Sequence, residues 1–153
     1  MGQYFSNDEE IGITNVIDIA TKKLAYQVAP LEGTNPLLMG RTIIVESGGK
    51  ILKLFHHSKA EPCHFDIYCL YFGDGKGKPF WVKITNIGDQ MLFLQNNHGL
   101  SFCASNFAGF KGNCIYYIKW GQYLCRYNIG DGTIEELPCP FDSVDAWFVP
   151  SLV

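Results

Sequence analysis

Long hydrophobic runs are missing from this sequence. No apolar stretch approaches the ~18 residues that a membrane-spanning helix needs. Basic residues are sparse: 12 Lys and Arg stand against 15 Asp and Glu, for a net charge of -3. The Lys and Arg are scattered singly, which argues against a nucleic-acid partner, because a phosphate backbone is bound by a basic stripe. There is no Asn-x-Ser/Thr sequon and no Cys-x-x-Cys pair. The start is polar and acidic through Asn7, Asp8, Glu9 and Glu10, unlike a secretory signal or an Arg-rich transit peptide. A cytoplasmic or nuclear location is the expectation. No segment carries an apolar period of 3.6 over the ~11 residues that reveal an amphipathic helix.

What is present is strand and turn chemistry. Of 153 residues, 47% are hydrophobic and 16 are glycine, the balance of a folded, turn-rich protein rather than a disordered one. The length suits one domain with a core of its own. The clearest stretch is Asn113 to Pro140. An apolar run, Cys114 to Ile118, precedes an alternating run, Tyr123 to Ile129. Gly130-Asp131-Gly132 then tolerates the positive φ of a tight hairpin, and Ile134 to Leu137 returns the strand until Pro138 and Pro140 end it.

The rest of the chain reads the same way. Strands are predicted over 15–20, 24–29, 42–46, 50–56, 65–72, 80–87, 91–95, 100–104 and 146–149, with Ser105 to Gly112 as a connector holding one helical turn. That makes about twelve strands. Several, such as TIIV, IYCLYF, MLFL and CIYYI, are apolar at consecutive positions, so both faces should be buried. With no helices to cover them, sheets must cover sheets, as the blades of a propeller do. The expected fold is all-β: a partial β-propeller of about three four-stranded antiparallel blades over residues 14–153, after a poorly ordered leader at 1–13. An unclosed array of blades should leave Ile17, Ile19, Tyr116 and Ile118 on faces without neighbours.

Candidate chemistry is thin. His56-His57, Cys63-His64 and Cys69 raise a metal site, but adjacent strand residues face opposite ways and the spacing matches no tetrahedral pattern. No metal or cofactor site is expected. Gly73 to Lys78 lacks the Gly-Lys-Ser/Thr of a phosphate loop and is followed by Pro79 and a strand, so it reads as a solvated hairpin loop. His98 reads as a turn residue. Glu135 and Glu136 point apart on one strand. The six cysteines, Cys63, Cys69, Cys103, Cys114, Cys125 and Cys139, mostly lie in apolar strand patterns and read as reduced thiols. Met1 to Ser6 fits the Met-Gly-x-x-x-Ser myristoylation pattern, but no polybasic second signal accompanies it, so no membrane partner is expected.

TIIVESGGKILKLF, FWVKITNIGDQMLFLQ, SFCASNFAGFKGNCIYYI, YLCRYNIGDGTIEELPCP and the terminal WFVPSL resemble the KIB-type β-propeller domain of plant F-box proteins. The most specific parts are Gly88-Asp89, the Gly112-Asn113-Cys114-Ile115-Tyr116 junction, and Asp131-Gly132 with Leu137-Pro138. In that family an F-box binds a Skp-type adaptor of a cullin ubiquitin ligase, and the propeller recruits a target, in some members a protein kinase. The resemblance implies a substrate-recognition module without catalytic residues. It implies a truncated or shortened member, because no F-box is recognisable and the strands are too few for a closed ring. Without an F-box, no Skp-type adaptor should bind. The alternative is a propeller enzyme with an acid or His site at the channel mouth, for which Glu46, Asp66 and Asp89 are the plausible contributors.

Overall fold

The structure is a computed structural model that describes residues 3–7, 14–18, 20–29, 41–74, 77–95, 98–119 and 123–138. Ile19, Trp120, Cys139 and the strand expected at 146–149 lie outside the described residues. The strands are β1 (Gln3–Asn7), β2 (Thr14–Asp18), β3 (Lys23–Val28), β4 (Arg41–Ser47), β5 (Lys50–His57), β6 (His64–Tyr71), β7 (Phe80–Ile84), β8 (Gln90–Gln95), β9 (His98–Cys103), β10 (Cys114–Lys119), β11 (Tyr123–Asn128) and β12 (Ile134–Leu137). Among the described residues there is no α-helix, only a 3-10 turn at Ala104–Asn106 inside the expected connector. The protein is all-β, and its sheets are consistent with a partial propeller. β1 pairs with β2 from Gln3↔Asp18 to Asn7↔Thr14, so Gln3 to Asn7, within the expected leader at 1–13, belong to the sheet.

The chain divides into two compact units: 1–44 with 50–84, and 45–49 with 85–153. In the first unit β1-β2-β3 form one sheet, and β4-β5-β6-β7 form a sequential antiparallel meander to which the first half of β4 belongs. Val16 and Val28 from the three-stranded sheet pack with Leu70, Ile51 and Trp81 from the meander. Strand alternation puts Ile51, Lys53 and Phe55 on one face of β5, and Lys53 is therefore carried into this packing. It is only 2% exposed. Its ammonium donates to Thr14 Oγ1 at 3.2 Å and lies 5.6 and 5.4 Å from the ring centroids of Phe55 and Trp81. Cation–π contact offsets part of the desolvation cost. Burial nevertheless pushes the Lys53 pKa down to about 8.

The second unit departs from a four-stranded antiparallel blade. Its sheet has five strands in the order β12-β11-β10-β8-β9, and β10 runs parallel to β8, from Cys114↔Met91 to Tyr117↔Leu94. A parallel neighbour requires a crossover connection, and residues 104–113 supply it. That crossover carries Phe107 and Phe110 over the face formed by Met91, Phe93, Cys114 and Tyr116. Phe93 stacks on Tyr116 at 5.1 Å, and Phe110 meets both rings edge-on. Tyr116 is thus 1% exposed, and its hydroxyl accepts from Lys111 N at 2.9 Å. The expectation that Tyr116 lies on an uncovered face is corrected by this cover. Ile17 and Ile118 are partly buried. Leu92, Leu94, Ile115 and Tyr117 on the opposite face are buried as well, as the unbroken apolar runs require.

The start of the crossed sheet is clamped by four residues. Gly88 turns at φ 66°, and Asn113 sits in the left-handed region at φ 55°. Asn113 N donates to Gln90 O at 2.8 Å, its side-chain Oδ1 accepts from Ile87 N at 2.9 Å, and its carbonyl accepts from Ile129 N at 3.0 Å. Gly112 passes so close that a Cβ would lie 2.8 Å from Asp89 Cα and 2.9 Å from Gly88 O.

Two outcomes follow. Gly112→Ala forces backbone against backbone and should lower unfolding stability by about 1 to 3 kcal/mol in urea titrations. Lys53 has a folded pKa below its unfolded value of 10.5, so the unfolded chain holds the extra proton between about 8 and 10.5. Stability should rise with pH through that window, by about 3 kcal/mol relative to Lys53→Met, which has no charge to bury. Equal pH slopes for the two proteins would contradict this.

Candidate functional site

The β5–β6 hairpin brings together residues that the linear spacing keeps apart. Its antiparallel register sets His57 directly opposite His64 and Phe55 opposite Asp66. Side chains alternate, so His57, His64 and Asp66 share one face, with Asp66 diagonal to His57. On the far side of β6, Lys83 of β7 pairs with Tyr68 in the ladder and reaches back diagonally to Asp66.

The contacts are specific. His57 Nε2 lies 3.0 Å from Asp66 Oδ2, and Lys83 Nζ lies 2.7 Å from Oδ1. His57 and His64 stack with ring centroids 4.4 Å apart and planes within 19°. His64 Nδ1 donates to the Pro62 carbonyl at 3.1 Å. The Asp66 and His57 side chains are about one-fifth exposed, at 20% and 18%. Burial alone would raise the Asp66 pKa, but the hydrogen bonds and positive charge of Lys83 and His57 outweigh it and hold the carboxyl below its ordinary value. His57, His64 and Asp66 each offer a ligand atom within 4.8 Å of the others, so they are the described residues able to hold a metal ion.

The remaining candidates separate from this cluster. His56 faces the other way, as expected for neighbours on a strand, stacking on Phe65 at 4.2 Å with Nε2 3.3 Å from Cys63 Sγ. Cys69 is buried, and burial pushes its thiol pKa up. Glu46 accepts from Gly49 N at 2.8 Å in the β4–β5 turn. Asp89 accepts from Cys103 Sγ at 2.7 Å and from Ser105 N at 3.2 Å, and these bonds lower its pKa. Both acids are thus engaged by their local turns. Glu135 and Glu136 oppose Arg126 and Cys125, so they do point apart. His98 opens β9 and is exposed. Gly73, Asp74, Gly77 and Lys78 lie between β6 and β7, and residues 75–76 are outside the described residues. Among the described residues, Cys63, Cys69, Cys103, Cys114 and Cys125 form no disulfide.

A second feature lies at the other end of the same hairpin pair. Tyr71, Phe72, Phe80 and Val82 are exposed by 42%, 39%, 52% and 38%. Tyr71 and Phe80 are ladder partners with rings 6.2 Å apart, and β7 is the edge strand of its sheet.

The KIB1-4 beta-propeller family matches residues 3–142, nearly the whole chain. The chain belongs to that family. No curated protein and no solved structure matches it. The motifs that carry the likeness to KIB-type propellers have structural work here. Gly88, Asp89, Gly112 and Asn113 form the sheet clamp, and Asp131 Oδ1 accepts from Thr133 N and Oγ1 at 2.9 and 2.7 Å in the β11–β12 turn. Of the polar cluster on β5, β6 and β7, Lys83 lies in the FWVKITNIGDQMLFLQ segment, whereas His57, His64 and Asp66 lie outside the segments that carry the likeness. A hairpin register placed through the Lys50–His57 and His64–Tyr71 runs is the signal that finds it.

Asp66 is the centre of this cluster. Asp66→Asn weakens two charge-assisted hydrogen bonds and should cost about 1 to 3 kcal/mol. Because the folded pKa of Asp66 lies below its ordinary 3.8, its stabilisation is full above that value and fades as pH falls through the folded pKa. Acid unfolding curves should show a correspondingly shallower loss in the variant.

Proposed function

We propose that this protein is a non-enzymatic interaction module that binds a target protein in the manner of the substrate-recognition propellers of plant F-box proteins. The observation that carries this reading is the exposed group Tyr71, Phe72, Phe80 and Val82 at one sheet edge. Aromatic side chains at an interface supply large apolar area with few rotors to freeze, and they dominate binding energy when a partner desolvates them. Membership of the propeller family supports the reading. By family resemblance the target class is a protein kinase, and the target is met in the cytoplasm or nucleus. Among the described residues no helix is long and apolar enough to cross a membrane. No Skp-type adaptor is part of this reading, because an F-box is a helical bundle and the described residues form strands.

The test is capture of a kinase partner with the tagged chain, followed by binding measurements on the purified pair. Tyr71→Ser with Phe80→Ser should weaken that pair about tenfold or more, with the melting temperature held, because both side chains are already exposed. Adaptor should be retained by neither protein. Undiminished binding by the double variant would remove the edge as the recognition surface.

A further inference from the structure

Two imidazoles and a carboxylate on one sheet face form a donor set of two nitrogens and one oxygen, which suits a borderline ion of the zinc class. The hairpin ladder places them on one face before any ligand arrives, and the His57 and His64 rings, stacked 4.4 Å apart, turn about their side-chain bonds to share one ion. His57 and His64 are direct cross-strand partners, and Asp66 lies two residues beyond His64 on the same face. The 3.0 Å between His57 Nε2 and Asp66 Oδ2 is close to the edge of a tetrahedron with bonds of about 2.0–2.1 Å, roughly 3.3 Å. His64 supplies the feature that distinguishes a built ligand from a bystander. Its Nδ1–H donates to the Pro62 carbonyl, which fixes the tautomer and leaves the lone pair on Nε2. The cluster is half-buried, so an ion can enter without unfolding the sheet.

We propose that His57, His64 and Asp66 bind a divalent transition-metal ion of the zinc class, with water in the fourth position. Asp66 Oδ2 is an ionised acceptor, so the proton in its contact with His57 belongs to Nε2. On binding, that proton leaves Nε2 for solvent while Nδ1 takes one up, so the imidazole stays neutral, keeps one N–H and offers its Nε2 lone pair to the ion. No oxidation or reduction is involved. Lys83 tempers the site: its ammonium, 2.7 Å from Asp66 Oδ1, neutralises the carboxylate and disfavours a second cation. Its side chain is 56% exposed, so its charge can move into water when an ion enters. Along the chain, adjacent histidines face opposite ways and the spacing of His56, His57, Cys63, His64 and Cys69 matches no tetrahedral pattern, so linear spacing predicts no metal. The second imidazole and the carboxylate arrive across the ladder.

The experiment is zinc titration of the full chain against a chromophoric chelator, with cobalt absorption as a second readout. A single saturable equivalent is expected. His57→Gln and His64→Gln should each weaken zinc by more than about 100-fold, beyond the ~10–100-fold that outer-shell partners usually contribute. Lys83→Met should tighten it several-fold, and because Lys83 is exposed this variant keeps the fold if the histidine variants do not. Cobalt should bind without thiolate charge-transfer absorption, and Cys63→Ser should leave affinity unchanged. Three results would overturn the proposal: no saturable binding, an affinity indifferent to Lys83→Met, or a thiolate band that places the ion on cysteine instead.

Discussion

Backbone meets backbone where Gly112 lies against Gly88 and Asp89, and the second unit depends on that contact. Only a residue without a Cβ allows it. Asn113 then ties three segments at once through Ile87, Gln90 and Ile129. With the junction held, β10 enters beside β8 rather than continuing the meander next to β9. The crossover that makes this possible also brings Phe107 and Phe110 down onto Phe93 and Tyr116. Topology and core packing therefore rest on the same few residues. Side-chain aromatic contacts add to the clamp, but they could not form if β10 were placed elsewhere.

The first unit is held in a different way. Its two sheets pack through Val16, Val28 and Leu70, and the same packing takes in the ammonium of Lys53. A buried amine among aromatic rings is a costly choice where a methionine would fill the space. Trp81 contributes the face of its ring, while its buried Nε1 has no hydrogen-bond partner among the described residues. The polar groups then continue along the meander, from Lys53 past Tyr68 to Asp66, Lys83, His57 and His64. The charge on Asp66 is supported from both neighbouring strands, which is why its carboxyl stays ionised despite partial burial.

Two surfaces with different chemistry thus share one meander. The exposed aromatic residues lie where β6 passes into β7, and the imidazole–carboxylate cluster lies where β5 passes into β6. A protein partner suits the first, through area and desolvation. A small cation suits the second, through lone pairs held at short distance. The two readings make independent demands on the molecule. Loss of the Tyr71 and Phe80 rings leaves the histidines in place, and loss of an imidazole leaves the edge strand intact.

Much of the fold was legible in the chain because its signals are local. Consecutive apolar residues in β5, β8 and β10 correspond to buried positions on both faces. Asn128 to Thr133 spells out its own turn through short side-chain-to-backbone bonds. Strand positions along most of the chain follow from such patterns, within a residue or two at their ends. The pairing partners do not. That β10 runs parallel to β8, that Phe107 and Phe110 cover Tyr116, and that β1 joins the first sheet depend on contacts between residues far apart in sequence. The same holds for the polar cluster. Alternation along β5 correctly separates His56 from His57, yet nothing on that strand says that His64 and Asp66 will stand opposite. Sequence determined which residues are strand, turn and core, since these follow from alternation, burial and turn chemistry over a few residues. Tertiary structure alone decided which side chains meet, because cross-strand register is fixed by hydrogen-bond ladders that no single segment encodes.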